Sequence, residues 1–199
     1  AGLQVTVVSP AVSGAPSRQT IDGVEVHRVR YAPRRLETLA ATGSMYREAR
    51  GPKGILAVPM MLALAIGVWR EARRESAILY GHWWIPGGLV IAVVGALMRC
   101  PRVVHVHGSD AAMTTNTVFK IVARWVLRVA VIRLAVSDEL AKWGEELTGR
   151  NFNVLPMPLN LDRLPDPSPV PDQGFVLAVG RLVPEKGFDL LIEAMALLG

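Results

Sequence analysis

The sequence has very little cysteine, and it lacks several motifs that would identify common enzymes. Cys100 is the only cysteine among 199 residues, so no internal disulfide can form, and such usage is typical of a reducing compartment. The phosphate-loop pattern G-x-x-x-x-G-K-[ST] and the dinucleotide pattern G-x-G-x-x-G do not occur. The nucleophile elbow G-x-S-x-G does not occur either, which excludes a serine hydrolase of that type.

The composition is that of a packed globular protein with a basic balance. Hydrophobic residues make up 51% and charged residues 20%, which excludes a disordered chain. A net charge of +5 favours anionic partners such as phosphates, nucleotides or an acidic membrane surface. Nucleic acid is not expected, because the charge is dispersed and no nucleic-acid-binding motif occurs.

Short apolar runs alternate with helical patterns along the chain. This order predicts a doubly wound parallel sheet, hence a Rossmann-like α/β fold. His27, in one of these strands, is expected to face solvent. The predicted strands are 4–8, 24–29, 78–80, 103–106, 134–136, 152–155 and 175–179, and the predicted helices are 55–70, 89–98, 118–132, 138–147 and 188–198.

A proline-rich stretch divides the chain. Five prolines between residues 157 and 173 indicate a linker or a stiff turn. We therefore predict an N-terminal Rossmann-like domain over 1–157, a linker over 158–173 and the start of a second domain over 174–199.

The most hydrophobic run is residues 55–70. A bilayer span needs about 20 apolar residues, so this shorter run, interrupted by Pro59, is predicted to be a buried helix. Interfacial attachment to a membrane stays open as an alternative, because cations flank the run on both sides. These are Arg47, Arg50, Lys53, Arg70, Arg73 and Arg74.

The C-terminal segment combines a strand, a basic loop and a helix start. Arg181 and Lys186 lie between the predicted strand 175–179 and the helix that follows Gly187. Helix N-termini carry free N–H groups and partial positive charge, so this arrangement predicts an anion site, most simply for phosphate. The alternative is a solvated loop with ordinary surface charges.

Polar and aromatic residues follow two of the predicted strands at their carboxyl ends, where open α/β sheets bind ligands. Trp83 and Trp84 follow strand 78–80 and are expected to be partly exposed, either stacking on a sugar ring or acyl chain or capping the core. His105 and His107 share one face of strand 103–106, as a metal pair would. No third Cys or His ligand is suggested nearby, so no metal is predicted.

Several of these segments resemble one enzyme family. The segment V-G-R-L-V-P-E-K-G-F-D-L-L-I-E-A-M resembles the start of the second domain of family-four retaining glycosyltransferases, which have the GT-B fold of two Rossmann-like domains facing a cleft. H-W-W-x-P-G-G, V-H-G-S-D and A-V-S-D-E-L resemble the same family, and the resemblance extends over almost the whole chain.

The resemblance implies roles for particular residues. Arg181, Lys186 and Gly187 would bind the diphosphate of a nucleotide-sugar donor, and His107 would contact the transferred sugar as the catalytic residue of the first domain. No cofactor and no metal are implied. The remaining candidates for the cleft or acceptor site are Gly108, Ser109, Asp110, Trp83 and Trp84.

The implied activity is transfer of a sugar from a nucleotide diphosphate to a sugar, lipid-linked or small-molecule acceptor, with retention of configuration. Such glycan biosynthesis is expected in the cytoplasm, with peripheral contact at the inner membrane face. In the family, a first strand and Gly-rich loop precede this sequence and a glutamate pair follows it. We therefore expect these 199 residues to be an inactive fragment. A nucleotide-sugar epimerase of GT-B architecture and a non-catalytic nucleotide-sugar-binding protein remain alternatives.

Overall fold

The computed structural model describes residues 2–40, 51–74, 76–114, 116–160, 174–180, 182 and 186–198. The chain divides into two compact units, Ala1–Pro158 and Leu159–Gly199. Arg181, Arg47, Arg50 and most of the predicted linker, 161–173, lie outside the described residues.

The first unit begins with a three-stranded sheet. Its strands are β1 (Thr6–Pro10), β2 (Arg18–Ile21) and β3 (Val24–Val29), in the order β1-β3-β2. β1 runs parallel to β3, whereas β2 is antiparallel to it. Asp22 and Gly23 join β2 to β3 with φ values of 48° and 81°, as expected for an Asp-Gly hairpin turn. β2 was not predicted, because its four residues lack an apolar pattern, and all four are exposed in the structure.

The second sheet has four parallel strands in sequence order, and it confirms the predicted α/β fold class. Each strand is followed in the chain by helix or turn and then by the next strand, which is the repeated unit that parallel pairing requires. The strands are β4 (Leu79–His82), β5 (Arg102–Val106), β6 (Ile132–Ala135) and β7 (Asn153–Val154).

The described residues of the first unit form five helices, which precede or connect these strands. A 3₁₀ turn, Pro52–Leu56, leads into the first helix. Ser137 caps the fifth helix as predicted, because its Oγ accepts the N–H of Leu140 at 3.4 Å. The helices are α1 (Ala57–Ala72), α2 (Leu89–Met98), α3 (Gly108–Ala112), α4 (Thr117–Val129) and α5 (Asp138–Thr148).

Helix α1 packs one face on the first sheet. Gly67 is required there, because a Cβ would lie 2.6 Å from Val29 Cγ1 and 2.9 Å from Val8 Cγ1. The stretch Pro52–Ala72 is long and apolar enough to cross a membrane by length and composition, criteria that core helices also meet. It contacts β1 and β3, but only 11% of its apolar window is buried, so the expectation of a buried helix is wrong for its outer face.

The expectation that His27 faces solvent is wrong. Its side chain is buried, and Nδ1 lies 2.9 Å from Glu71 Oε1 on α1. The alternation of apolar and polar residues along β3 indicated which side chains share a face. It could not show that α1, which is distant in sequence, covers the face that carries His27. The hydrogen bond to Glu71 thereby holds His27 between β3 and α1.

The second unit, as far as it is described, contains one helix, α6 (Phe188–Ala196). The strand predicted over 175–179 is not formed, and those side chains are exposed. A buried strand of this kind needs neighbours on both edges and both faces. The described part of this unit (174–180, 182 and 186–198) provides no strand to pair with it.

Candidate functional site

Four rings gather at the carboxyl ends of β4 and β5. His82 on β4 pairs in register with His105 on β5. Because side chains two apart in a strand share a face, Tyr80 and His107 lie on the same face as these two residues. The ring centroids of His105 and His107 are 4.7 Å apart, and those of His82 and His107 are 5.1 Å apart.

His105 is the buried member of this group and has both ring nitrogens occupied. Its Nε2 lies 3.0 Å from the carbonyl oxygen of Leu155, so this nitrogen must carry the hydrogen and donate. Its Nδ1 lies 2.7 Å from the hydroxyl of Tyr80 and accepts that hydrogen bond in the neutral ring.

His107 and His82 form the accessible part of the group. Nδ1 of His82 lies 2.9 Å from Nε2 of His107, a distance at which one ring donates to the other. Burial, then the charges of His105 and His82, lower the pKa of His107 to about 4. Burial and His105 also lower the pKa of His82. At neutral pH these rings are uncharged and act as hydrogen-bond partners rather than as cations.

A tight turn, Trp83–Gly88, positions His82 and Trp83. Gly87 packs directly on the end of β4, since a Cβ there would lie 2.4 Å from the carbonyl oxygen of His82. Trp83 adopts φ +59° and remains 39% exposed, with its ring 5.1 Å from that of His107. The turn thus presents an indole face beside the accessible imidazole.

Trp84 and Asp110 lie inside the protein. The expectation that Trp84 is partly exposed is wrong, because it is completely buried, and Asp110 is buried with it. The Asp110 carboxylate accepts the backbone N–H of Trp84 at 2.6 Å and that of His107 at 2.5 Å. Trp84 Nε1 donates in turn to the Asp110 carbonyl. Burial raises the pKa of Asp110 to about 7, although both N–H bonds oppose the shift.

Two other residues of the predicted site, Gly108 and Ser109, are exposed at the start of α3. No atom lies within 4 Å of a Cβ placed on Gly108, so there is open space beside this backbone. Trp83, His107, Gly108 and Ser109 are therefore accessible to a ligand. Asp110 instead holds the turns that carry them.

His82, at the carboxyl end of strand 78–80, and Tyr80 were not predicted as site residues. The expectation that no third metal-type ligand accompanies His105 and His107 is wrong in geometry: one ring nitrogen from each of His82, His105 and His107 lies within 4.8 Å of the others. His82 and His107 are 25 residues apart, so local spacing gave no signal. The signal was their common position at the ends of two predicted parallel strands.

In the second unit, Lys186 is exposed and Gly187 begins α6 in the left-handed conformation, with φ +63°. This conformation favours glycine, which explains the residue at that position. Arg181, the other predicted phosphate ligand, lies outside the described residues.

No family model matches the chain. Two relatives align over 59% of it. A Bacillus subtilis (strain 168) protein, provisionally named teichuronic acid biosynthesis glycosyltransferase TuaC, is 32% identical, and the uncharacterized glycosyltransferase MJ1178 of Methanocaldococcus jannaschii is 28% identical. The aligned regions are 34% and 33% of those proteins, so the chain spans about a third of their length.

The fold is similar to that of a sucrose-phosphate synthase from Thermosynechococcus elongatus. The TM-score is 0.56 at 12% identity, over 80% of this chain and 78% of that one. The likeness supports the GT-B-type α/β class predicted from the sequence.

Proposed function

We propose that this chain belongs to a retaining glycosyltransferase of GT-B architecture that uses a nucleotide-diphosphate sugar. The observation that carries the proposal is its similarity to two proteins named as glycosyltransferases, from a bacterium and an archaeon. The fold shared with a sucrose-phosphate synthase is consistent with it. The aligned region is about a third of each relative, so donor and acceptor are argued from this chain's own residues.

His107 is the residue we assign to the transferred sugar. Its ring is partly exposed, uncharged at neutral pH, and fixed through its backbone by Asp110. A neutral imidazole can donate to or accept from a sugar hydroxyl without a desolvated charge. Trp83 beside it offers an apolar face of the kind that packs on sugar rings.

Lys186 and the first N–H groups of α6 are assigned to the donor diphosphate, together with Arg181. When the nucleoside diphosphate departs, negative charge grows on its oxygens. A fixed cation and a helix N-terminus stabilise that charge, so the scheme requires no metal at the diphosphate. Departure and attack on the same face of the sugar would retain its configuration.

A membrane-bound acceptor is supported by the outer face of α1 and the turn before it. Lys53 precedes the exposed apolar residues, and Arg70, Arg73 and Arg74 follow them. Such a stripe with cationic ends suits contact with an anionic lipid surface, and we place the protein at the inner membrane face. The stripe consists of Ile55, Val58, Leu62, Ile66 and Trp69, each at least 40% exposed and spaced by three or four residues.

The test, made on the full-length protein, is transfer of label from UDP-, GDP- and ADP-sugars carrying a radioactive sugar. We expect the label to pass to a second molecule in membrane extracts, and His107→Ala to reduce this transfer by about a hundredfold or more. Label that stays on the nucleotide but changes its sugar identifies the epimerase alternative. Donor binding without either reaction identifies a binding protein, and both results contradict the proposal.

A further inference from the structure

The three histidine side chains at the ends of β4 and β5 can bind a metal ion, a chemistry that sugar transfer does not use. We propose that His82, His105 and His107 form a binding site for a divalent transition-metal ion of the zinc type. One ring nitrogen of each lies within 4.8 Å of the other two. The site is inferred from these residues alone and does not depend on the proposed glycosyl transfer.

The accessible pair is close to ligand geometry. His82 Nδ1 and His107 Nε2 are 2.9 Å apart. Two imidazole nitrogens bound to one tetrahedral zinc at about 2.0–2.1 Å lie roughly 3.3 Å from each other. A small outward rotation of either ring therefore admits the ion, which replaces the hydrogen now shared by the two nitrogens.

His105 is arranged as metal-bound histidines commonly are. Its Nε2–H donates to the Leu155 carbonyl, and this leaves the lone pair on Nδ1. A histidine ligand usually donates its second N–H to a carbonyl or carboxylate, which fixes the tautomer and orients the ring. The ion has one competitor for Nδ1, the hydroxyl hydrogen of Tyr80 at 2.7 Å.

The three ligands are held by the fold, and one side of the site is open. His105 is 2% exposed within β5, the backbone of His107 is bonded to Asp110, and Gly87 packs against His82. His82 and Trp83 are exposed at the mouth. Three protein nitrogens with a free fourth position are the pattern of zinc sites that accept an outside ligand.

Occupation of this site would remove His107 Nε2 from hydrogen bonding with a sugar. The ion is thus expected to oppose the role proposed for His107 rather than to assist the departing diphosphate. This consequence, unlike the site itself, rests on the proposed function.

The site can be tested with Co²⁺ on tag-free protein. We expect saturation at one equivalent, visible absorption typical of four-coordinate cobalt, and loss of that absorption when Zn²⁺ is added. His82→Ala and His107→Ala should each weaken binding about tenfold or more. His27→Gln is the matched control and should bind as wild type does, because His27 lies on β3 beside Glu71.

Tyr80→Phe tests whether Nδ1 of His105 is the nitrogen that binds the ion. Removing the hydroxyl removes the competing hydrogen bond, so binding should tighten about two- to tenfold. Weaker binding in Tyr80→Phe contradicts the role of Nδ1. The absence of saturable binding in the wild type, full affinity in His107→Ala, or equal loss in His27→Gln overturns the site. Both His82 and His107 have solvent-accessible rings, so their truncation leaves the core intact, as circular dichroism can verify.

Discussion

Asp110 accepts the backbone N–H of Trp84 at 2.6 Å and thereby ties the turn after β4 to the turn after β5. Its second oxygen accepts the N–H of His107, so one carboxylate fixes the backbone on both sides of the imidazole group. The indole of Trp84 completes the connection by donating to the Asp110 carbonyl. The accessible residues of the site therefore depend on the buried pair of Trp84 and Asp110.

Replacing Asp110 by Ala should be strongly destabilising. Two buried N–H groups lose their acceptor, and each unsatisfied group costs about 1–3 kcal/mol. We expect the free energy of unfolding to fall by about 2–5 kcal/mol in urea titrations. Ser109→Ala, at the exposed neighbouring position, should change it by less than about 0.5 kcal/mol. Similar values for both variants would contradict the role of the carboxylate.

The contribution of Asp110 should also depend on pH. Its pKa is raised from 3.8 in the unfolded chain to about 7 in the fold by burial. The folded state therefore favours the protonated acid, and this contribution is complete below pH 4 and is lost as pH rises through 7. Across that window the loss is on the order of 2–4 kcal/mol.

Asp110→Asn isolates this effect, because the amide does not titrate whereas the other groups remain. The difference in unfolding free energy between wild type and Asp110→Asn should shrink from pH 4 to pH 8. Urea titrations at several pH values measure it. A difference that stays constant with pH, or one that grows, would show that the carboxyl is ionised throughout.

Two glycines of the site should respond very differently to the same added methyl group. A Cβ on Gly87 would lie 2.4 Å from the His82 carbonyl oxygen, whereas a Cβ on Gly108 meets nothing within 4 Å. Gly87→Ala must displace the turn from β4, and we expect a loss of about 1–3 kcal/mol in stability. Gly108→Ala should fold as wild type does. Thermal denaturation of both variants checks this, and equal tolerance would refute the close packing of the turn.

The parallel sheet was predictable because its strands and the longer helices have local patterns, whereas the five-residue helix α3 was not predicted. The α5 cap was predictable for the same reason, since Ser137 precedes its helix directly. The common position of His82 and His107 at two strand ends could be inferred from the sequence, but their contact depends on the register of β4 against β5, which the sequence does not specify. The burial of Trp84 likewise depends on Asp110, which lies 26 residues further along the chain. Contacts between residues distant in sequence determine whether a side chain is buried, and such contacts cannot be derived from a local sequence pattern.

The strand predicted over 175–179 is a case in which a local pattern was present but the predicted element did not form. Its apolar sequence is compatible with a buried strand, yet a strand forms only where neighbours accept its N–H and C=O groups. In the described part of the second unit those neighbours are lacking, so the segment stays outside any sheet. The apolar sequence thus indicated that the segment is able to form a strand, but it did not show whether neighbouring strands are present.

Lys186→Ala should weaken binding of nucleotide-diphosphate sugars. A charged hydrogen bond to phosphate contributes about 1.5–3 kcal/mol, which corresponds to a loss of roughly tenfold or more in affinity. Thermal stabilisation by UDP-, GDP- and ADP-sugars measures the effect. Lys142→Ala removes the same charge from the exposed face of α5 and should leave affinity unchanged. Equal affinity of the Lys186 variant and wild type would remove the phosphate assignment.

The proposed membrane contact can be tested by introducing one charged residue into the exposed apolar face of α1. Leu62 is 60% exposed in the middle of the stripe, and Arg73 lies over the ring of Trp69 at 4.4 Å near its end. We expect the protein to sediment with vesicles that contain anionic lipid and to be released by salt, because cations provide part of the attraction. Leu62→Asp should reduce this binding roughly tenfold or more, since burial of one leucine contributes about 1.5–3 kcal/mol. Ile78→Asp introduces the same charge at an equally exposed aliphatic residue outside the stripe and should have little effect. If both variants lose binding equally, the attraction depends on overall charge, and the outer face of α1 is not the surface that contacts the lipid.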